Sequence, residues 1–226
     1  MSEQRNIIID NIDFSEALRY LGYGDNKPDD NTKKLLDICS EELLKVIQPK
    51  YVYRVFDLNE DYSIDGVDFE LKGEAIKNHL KGCEKIAMMC VTLSSGVDSL
   101  IRRKQIGDMA QAAIIDSMAS AAVEQVCDKV EEIIKKEFPH YEYTWRFGVG
   151  YDDFPLELQQ QFLNVVNASK QIGVCVNDSF MLTPTKSVTC IIGMGHNLNT
   201  SSKKSCDNCS FREKCQYRKA GKNCGR

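Results

Sequence analysis

The sequence contains few of the residues and none of the short motifs that identify the commonest enzyme classes. Its three histidines, His79, His140 and His196, are scattered along the chain. It has no Walker loop, no His-Glu-x-x-His pair and no nucleophile elbow. These absences argue against P-loop nucleotide hydrolysis, zinc proteolysis of the His-Glu-x-x-His type and α/β-hydrolase chemistry. Each histidine is expected to have a surface or core role.

A long apolar run is also missing. No stretch approaches the ~20 residues that cross a bilayer. The opening residues, MSEQRNIIIDNID, contain no apolar secretory region. We therefore expect a cytoplasmic protein without membrane contact. The ten cysteines are then expected to be reduced thiols, because disulfide frameworks belong to oxidising compartments.

Length and composition are those of a globular chain with one large domain. The 226 residues are 42% hydrophobic and 27% charged, enough to bury a sizeable core. The net charge is −4, with +6 on residues 203–226 and therefore −10 on residues 1–202. A basic end on an acidic body favours an acidic partner, or serves solubility only. The acidic body and the lack of interleaved aromatics argue against nucleic-acid binding.

Helices and short strands follow one another without a regular alternation, which predicts an α+β fold rather than a doubly wound sheet. The clearest helix begins after Asp108 and runs to about Lys136. Its inner stripe, in steps of three or four residues, includes Asp116. A continuous apolar run of strand length occupies 86–93, and residues 188–192 also predict a strand.

The six residues 146–151, Arg-Phe-Gly-Val-Gly-Tyr, are the most informative segment. Arg146 provides a permanent cation with a planar fork of donors that suits a carboxylate or phosphate. Gly148 and Gly150 let a ligand approach the backbone closely, and Tyr151 offers a flat apolar face with a hydroxyl. The segment indicates a cradle for a small charged molecule. A tight turn between a strand and a helix is the alternative.

Two further features could belong to a binding site. Asp116 is a carboxylate on an apolar stripe, so it either faces an ammonium, sulfonium or hydroxyl of a ligand or bonds to a neighbouring strand. Residues 178–187 link two strands and concentrate hydroxyls, a proline and a lysine. Such loops often hold binding groups, although a plain polar connection has the same composition.

From residue 197 the apolar content collapses, and we divide the chain into a domain of residues 1–196 and a linker with a Cys-rich basic tail, 197–226. The tail has the spacing C-x2-C-x5-C-x8-C. Four thiolates can hold structural zinc or an iron–sulfur cluster, and the spacing does not distinguish the two. Uncoordinated thiols are the alternative. The predicted metal ligands are Cys206, Cys209, Cys215 and Cys224.

Two segments together resemble a known family. The residues from Arg146 to Tyr151 resemble the Arg-x-x-x-Gly-Tyr signature of the reactivation domain of cobalamin-dependent methionine synthase. The residues 178–181, Asp-Ser-Phe-Met, with Pro184 and Ser187-Val188 after them, are similar to that domain's second signature. The helical interval between them and the acid at Asp116 also fit. The resemblance covers most of residues 10–196.

The resemblance implies a C-shaped α+β domain with a twisted, mainly antiparallel sheet flanked by helices. Such domains bind S-adenosylmethionine in a shallow groove and present it to an inactive cob(II)alamin. An electron from a flavodoxin-like or ferredoxin-like donor then allows reductive methylation. The implied partners are a cobalamin-binding methionine synthase core, or another corrinoid protein, and the electron donor.

The resemblance also implies roles for particular residues. Arg146 pairs with the carboxylate of S-adenosylmethionine, the backbones of Gly148 and Gly150 lie along the ligand, and Tyr151 packs near it. Asp116 corresponds to an acidic residue of the same site. The complete implied ligand-binding set is Arg146, Gly148, Gly150, Tyr151, Asp116 and Ser187.

Three departures from the family refine these expectations. The chain lacks methyltransferase and cobalamin modules, which predicts a separate subunit acting in trans. Phe147 and Val149 occupy positions that are usually small or proline, so the groove floor is expected to differ. The cysteine tail has no counterpart in the multidomain enzyme and suggests a redox or docking appendage. The alternative function is a non-catalytic corrinoid-protein partner or iron–sulfur redox adaptor.

Overall fold

A computed structural model describes residues 7–23 and 26–198. The four predicted metal ligands of the tail, Cys206, Cys209, Cys215 and Cys224, lie outside the described residues. The helices are α1 (Phe14–Tyr20), α2 (Asp30–Val46), α3 (Glu74–His79), α4 (Ser95–Gly107), α5 (Met109–Glu137), α6 (Gln159–Val166) and α7 (Ala168–Ile172). The strands are β1 (Lys50–Asp57), β2 (Cys83–Thr92), β3 (Glu142–Tyr143), β4 (Phe147–Gly148), β5 (Cys175–Val176), β6 (Leu182–Thr183) and β7 (Ser187–Gly195).

The predicted α+β class is confirmed. One sheet has the order β1-β2-β7-β3, and β4 also pairs with β7. Strands β3 and β4 run antiparallel to β7, and β5 and β6 form a separate antiparallel pair. No helix in the described part of the chain has both the length and the apolar run that crossing a membrane requires.

The described chain separates into two compact units. Unit one contains residues 7–54, 89–138 and 157–189, and unit two contains residues 55–88, 139–156 and 190–198.

Unit one is built around α5, which contacts α1, α2 and α4. Asp108 caps this helix as predicted, because its carboxylate accepts the backbone N–H of Gln111 at 3.0 Å. Small buried side chains such as Ala112 and Ala119 let the neighbouring helices approach closely. Lys104 of α4 links all three larger helices, with Nζ 2.7 Å from Glu42 Oε1 and 2.7 Å from Gln111 Oε1.

Unit two contains α3 and the short strands β3 and β4. The register pairs Glu142 with Gly195 and Phe147 with Ile191. Between the two strands, Thr144 continues the pairing: its N–H donates to the Gly193 carbonyl at 3.0 Å, and its Oγ1 accepts the Gly193 N–H at 2.8 Å. This edge of β7 therefore stays hydrogen-bonded where regular strand geometry is interrupted.

The structure differs in detail from what the sequence predicts. Helix α4 was not predicted, although Val97, Leu100 and Ile101 are buried on one of its faces. Asp29 caps α2, because its carboxylate accepts the backbone N–H of Thr32 at 2.7 Å. Asp116 was placed on the inner stripe of α5, yet its side chain is 53% exposed, because the buried face passes through Ile115.

Candidate functional site

The segment 146–151 lies on a short strand followed by a tight turn. Phe147 and Gly148 pair with Ile191 and Cys190 of β7. The chain then reverses, since the Tyr151 N–H donates to the Gly148 carbonyl at 3.1 Å and the Gly150 N–H donates to the Phe154 carbonyl at 2.9 Å. The segment therefore does form a tight turn, which was the alternative to a ligand cradle. Arg146, Gly148 and Tyr151 are partly exposed on it.

Gly150 is the one position in this turn that the backbone restricts to glycine. Its φ is +85°, a conformation that L side chains rarely adopt. A Cβ atom added there would lie 2.8 Å from Leu156 Cδ1. The second glycine of the segment is therefore favoured by its backbone conformation, independently of any ligand, and a Cβ there would also displace the end of the Leu156 side chain.

Phe147, one of the two departures from the family pattern, points into the core. It is 2% exposed and packs edge-on against Tyr151, with ring centroids 5.2 Å apart, and against Phe154 at 6.2 Å. The Trp145 ring stacks on the Phe147 ring, with centroids 5.2 Å apart. Aromatic rings thus support the backbone on both sides of Arg146.

His79, at the end of α3, belongs to the same aromatic cluster. Its ring lies 4.4 Å from the Trp145 ring and 5.0 Å from the Phe147 ring, centroid to centroid. Its Nε2 is 2.8 Å from the Trp145 carbonyl oxygen. Burial lowers the pKa of His79 to about 4, although the hydrogen bond to Trp145 opposes this shift. The neutral ring must carry its proton on Nε2, because a carbonyl can only accept.

Asp116 and Ser187, the other two predicted ligand residues, belong to unit one. Asp116 Oδ1 is 2.9 Å from Nζ of Lys186, the residue before Ser187. The Lys186 side chain is only 11% exposed, and its Nζ also lies 2.9 Å from Ser120 Oγ. Asp116 thus bonds to Lys186, which directly precedes strand β7. This agrees with the alternative that Asp116 bonds to a neighbouring strand.

The loop 178–187 is held by hydrogen bonds within unit one. Ser187 Oγ lies 2.7 Å from the Pro184 carbonyl and 2.8 Å from Thr92 Oγ1. Asp98 Oδ2 accepts the Thr185 N–H at 2.9 Å. Asp98 is 7% exposed, and its Oδ1 is buried without a hydrogen-bond partner in the described residues. The sequence pointed to Lys186 only as the lysine of this loop and did not point to Asp98, since each acquires its role through a distant partner.

The described residues contain no group of three His, Cys, Asp or Glu side chains arranged to hold a metal ion. Burial raises the pKa of the Cys39 and Cys83 thiols to about 11 and that of the Cys90 thiol further. These thiols therefore remain protonated at neutral pH and are poor nucleophiles.

The conformation of Gly150 predicts a stability effect. Gly150→Ala should lower the free energy of unfolding by about 1–2 kcal/mol, because alanine at positive φ is strained and its Cβ meets Leu156. Urea denaturation followed by circular dichroism measures the change. Gly107→Ala is the matched control, since a Cβ there meets nothing within 4 Å. Equal stability of the two variants would contradict the assignment.

The environment of His79 predicts a pH dependence. The unfolded chain protonates this histidine near pH 6.5 and the folded protein only near pH 4. As pH falls through this window, the unfolded state takes up a proton that the folded state does not, so the free energy of unfolding decreases. Urea denaturation at several pH values should show a weaker dependence in His79→Phe. The exposed control His140→Phe should behave like the unaltered protein.

No protein-family model matches the chain, and no curated protein matches it by sequence. Among solved structures, the chain is similar to a MetH reactivation domain bound to AdoHcy, with a TM-score of 0.66 and 15% sequence identity. The match covers 98% of this chain and 86% of that one. At this identity the likeness shows a shared fold.

Proposed function

We propose that this chain binds S-adenosylmethionine and serves as a reactivation protein for a cobalamin-dependent methyltransferase. One observation carries the proposal: an Arg-x-x-x-Gly-Tyr segment occurs on a partly exposed strand and turn of a fold shared with the MetH reactivation domain. That domain was solved with AdoHcy, which is S-adenosylmethionine without its transferable methyl group.

The chemistry of the segment suits this ligand. The Arg146 guanidinium is permanently charged and can form two parallel hydrogen bonds with the ligand's carboxylate. Gly148 has no side chain to block an extended ligand beside β4, and Tyr151 provides an aromatic face. The aromatic cluster beneath the segment keeps the backbone in place, which lowers the entropic cost of binding.

The reaction takes place on the cobalamin that the partner protein carries. This cobalamin is the substrate of the proposed activity. One electron from a flavodoxin-like or ferredoxin-like donor reduces cob(II)alamin to cob(I)alamin. The cobalt electron pair then attacks the methyl carbon of the sulfonium. A cobalt–carbon bond forms, the carbon–sulfur bond breaks, and its electron pair stays on sulfur, so that neutral S-adenosylhomocysteine leaves. No proton moves, and the protein contributes the position of the methyl donor.

Asp116 and Ser187 each form hydrogen bonds or ion pairs within the protein, and we propose that each also contributes to ligand binding. Asp116 is half-exposed, so its carboxylate can pair with Lys186 and still attract a cationic ligand. Ser187 has its hydroxyl bonded within the loop and would act chiefly by shaping the backbone. Asp116→Asn and Ser187→Ala are therefore expected to weaken binding less than a substitution of Arg146.

The tail cysteines extend the proposal to electron delivery. An iron–sulfur cluster at Cys206, Cys209, Cys215 and Cys224 would make the protein a redox adaptor as well, whereas zinc would make the tail structural. The two differ in colour after anaerobic purification and in iron and sulfide content. The corrinoid protein is the proposed partner in either case.

The role of Arg146 predicts a binding defect. Arg146→Ala should weaken S-adenosylmethionine binding roughly tenfold to a hundredfold, the usual effect of losing hydrogen bonds to a charged group. Isothermal titration calorimetry measures the dissociation constant. Arg103→Ala, on the exposed face of α4, is the matched control. No binding by the unaltered protein, or identical binding by Arg146→Ala, would contradict the assignment.

Reconstitution tests the function itself. A methionine synthase core inactivated as cob(II)alamin should regain methyl transfer when this protein, S-adenosylmethionine and a reductant are added together. Loss of the cob(II)alamin absorption and formation of S-adenosylhomocysteine should proceed in equal amounts. Arg146→Ala should slow both, and omission of S-adenosylmethionine should abolish both. If the unaltered protein gives no gain with any corrinoid protein offered, the reactivation role is wrong.

A further inference from the structure

We propose that His79 is a positioning residue that holds Arg146 in its ligand-binding orientation by fixing the backbone and rings on either side of it. This inference rests on the proposed function, because it assigns His79 a share of the same binding site. His79 is 67 residues before Arg146 in the chain and forms no part of either signature segment.

His79 contacts the two residues that flank Arg146 in the sequence, Trp145 and Phe147. The Nε2–H group donates to the carbonyl oxygen of Trp145 at 2.8 Å, directly at the peptide bond that leads into Arg146. The ring also packs on the side chains of Trp145 and Phe147, the residues on either side of it. The same carbonyl also lies 3.4 Å from Thr144 Oγ1. The hydrogen bond from His79 is the shorter of these two.

The helix that carries His79 is tied to the same segment at its other end. The carboxylate of Asp153 accepts the backbone N–H of Glu74 at 2.7 Å and that of Ala75 at 3.1 Å. Residues 146–151 are thus fixed before their first residue and shortly after their last residue by the two ends of α3. A single rigid helix spanning both attachments keeps the separation between them constant.

This arrangement explains why a residue without ligand contact should influence affinity. A bidentate arginine pair depends on the direction of the guanidinium plane, which follows from the backbone at the arginine. Small displacements of positioning groups are costly in such sites. Phenylalanine in place of His79 would keep an aromatic ring in the cluster and remove the donor, so the Trp145 carbonyl would lose the hydrogen bond from His79.

A double-mutant cycle tests the inference. S-adenosylmethionine dissociation constants would be measured by calorimetry for the unaltered protein, His79→Phe, Arg146→Ala and the double variant. We expect His79→Phe to weaken binding about five- to tenfold in the presence of Arg146 and less than twofold in its absence. The exposed His140→Phe is the matched control. His79→Gln, which keeps a donor, should recover part of the affinity.

The outcomes separate the inference from the function it rests on. If the unaltered protein does not bind S-adenosylmethionine, the proposed function fails, and this inference fails with it. If Arg146→Ala weakens binding while His79→Phe does not, only the inference is overturned. Equal losses in both backgrounds also overturn it, because His79 would then act independently of Arg146. Should His79→Phe not fold, His79→Leu takes its place in the cycle.

Discussion

The structure depends on satisfying the backbone of strand β7, whose residues from Thr189 to Gly195 are buried. Buried N–H and carbonyl groups without partners are costly. Strand β2 borders one side of β7, and the other side is covered by two short strands joined through Thr144. Because β4 is one of these strands, the segment that carries Arg146 is positioned by a requirement of the fold itself.

The length and regularity of each element decided whether the sequence could predict it. Long periodic elements were readily identified, since α5 has both an apolar stripe and an aspartate cap in sequence. Helix α4 was missed because its pattern is short and polar, with Ser-Ser-Gly at its start. The class of the fold followed from the irregular order of helices and strands. The pairing of β3 and β4 with β7 did not, because each has two residues and strand propensity is weak over such lengths.

The candidate site shows a similar division. Residues 146–151 were predicted as a unit, since their chemistry is adjacent in sequence. The contribution of His79 was not, because it arises from a contact between residues 66 positions apart. The predicted stripe of α5 is buried at Ala112 and Ala119, but Asp116 between them is exposed, because the buried face passes through Ile115 there. Periodicity predicts that a helix has a buried face more reliably than it predicts where that face ends. Polar residues at the edge of the face acquire their roles from partners such as Lys186.

The aromatic cluster has a consequence for observation. Trp145 provides the one indole of the entire sequence, and it stands directly beside Arg146 with part of its surface open to solvent. The intrinsic emission of the protein under excitation selective for tryptophan therefore originates from a single place. An event that changes the polarity or the mobility around this arginine changes the tryptophan fluorescence of the whole molecule. Changes at remote positions leave that fluorescence unaltered.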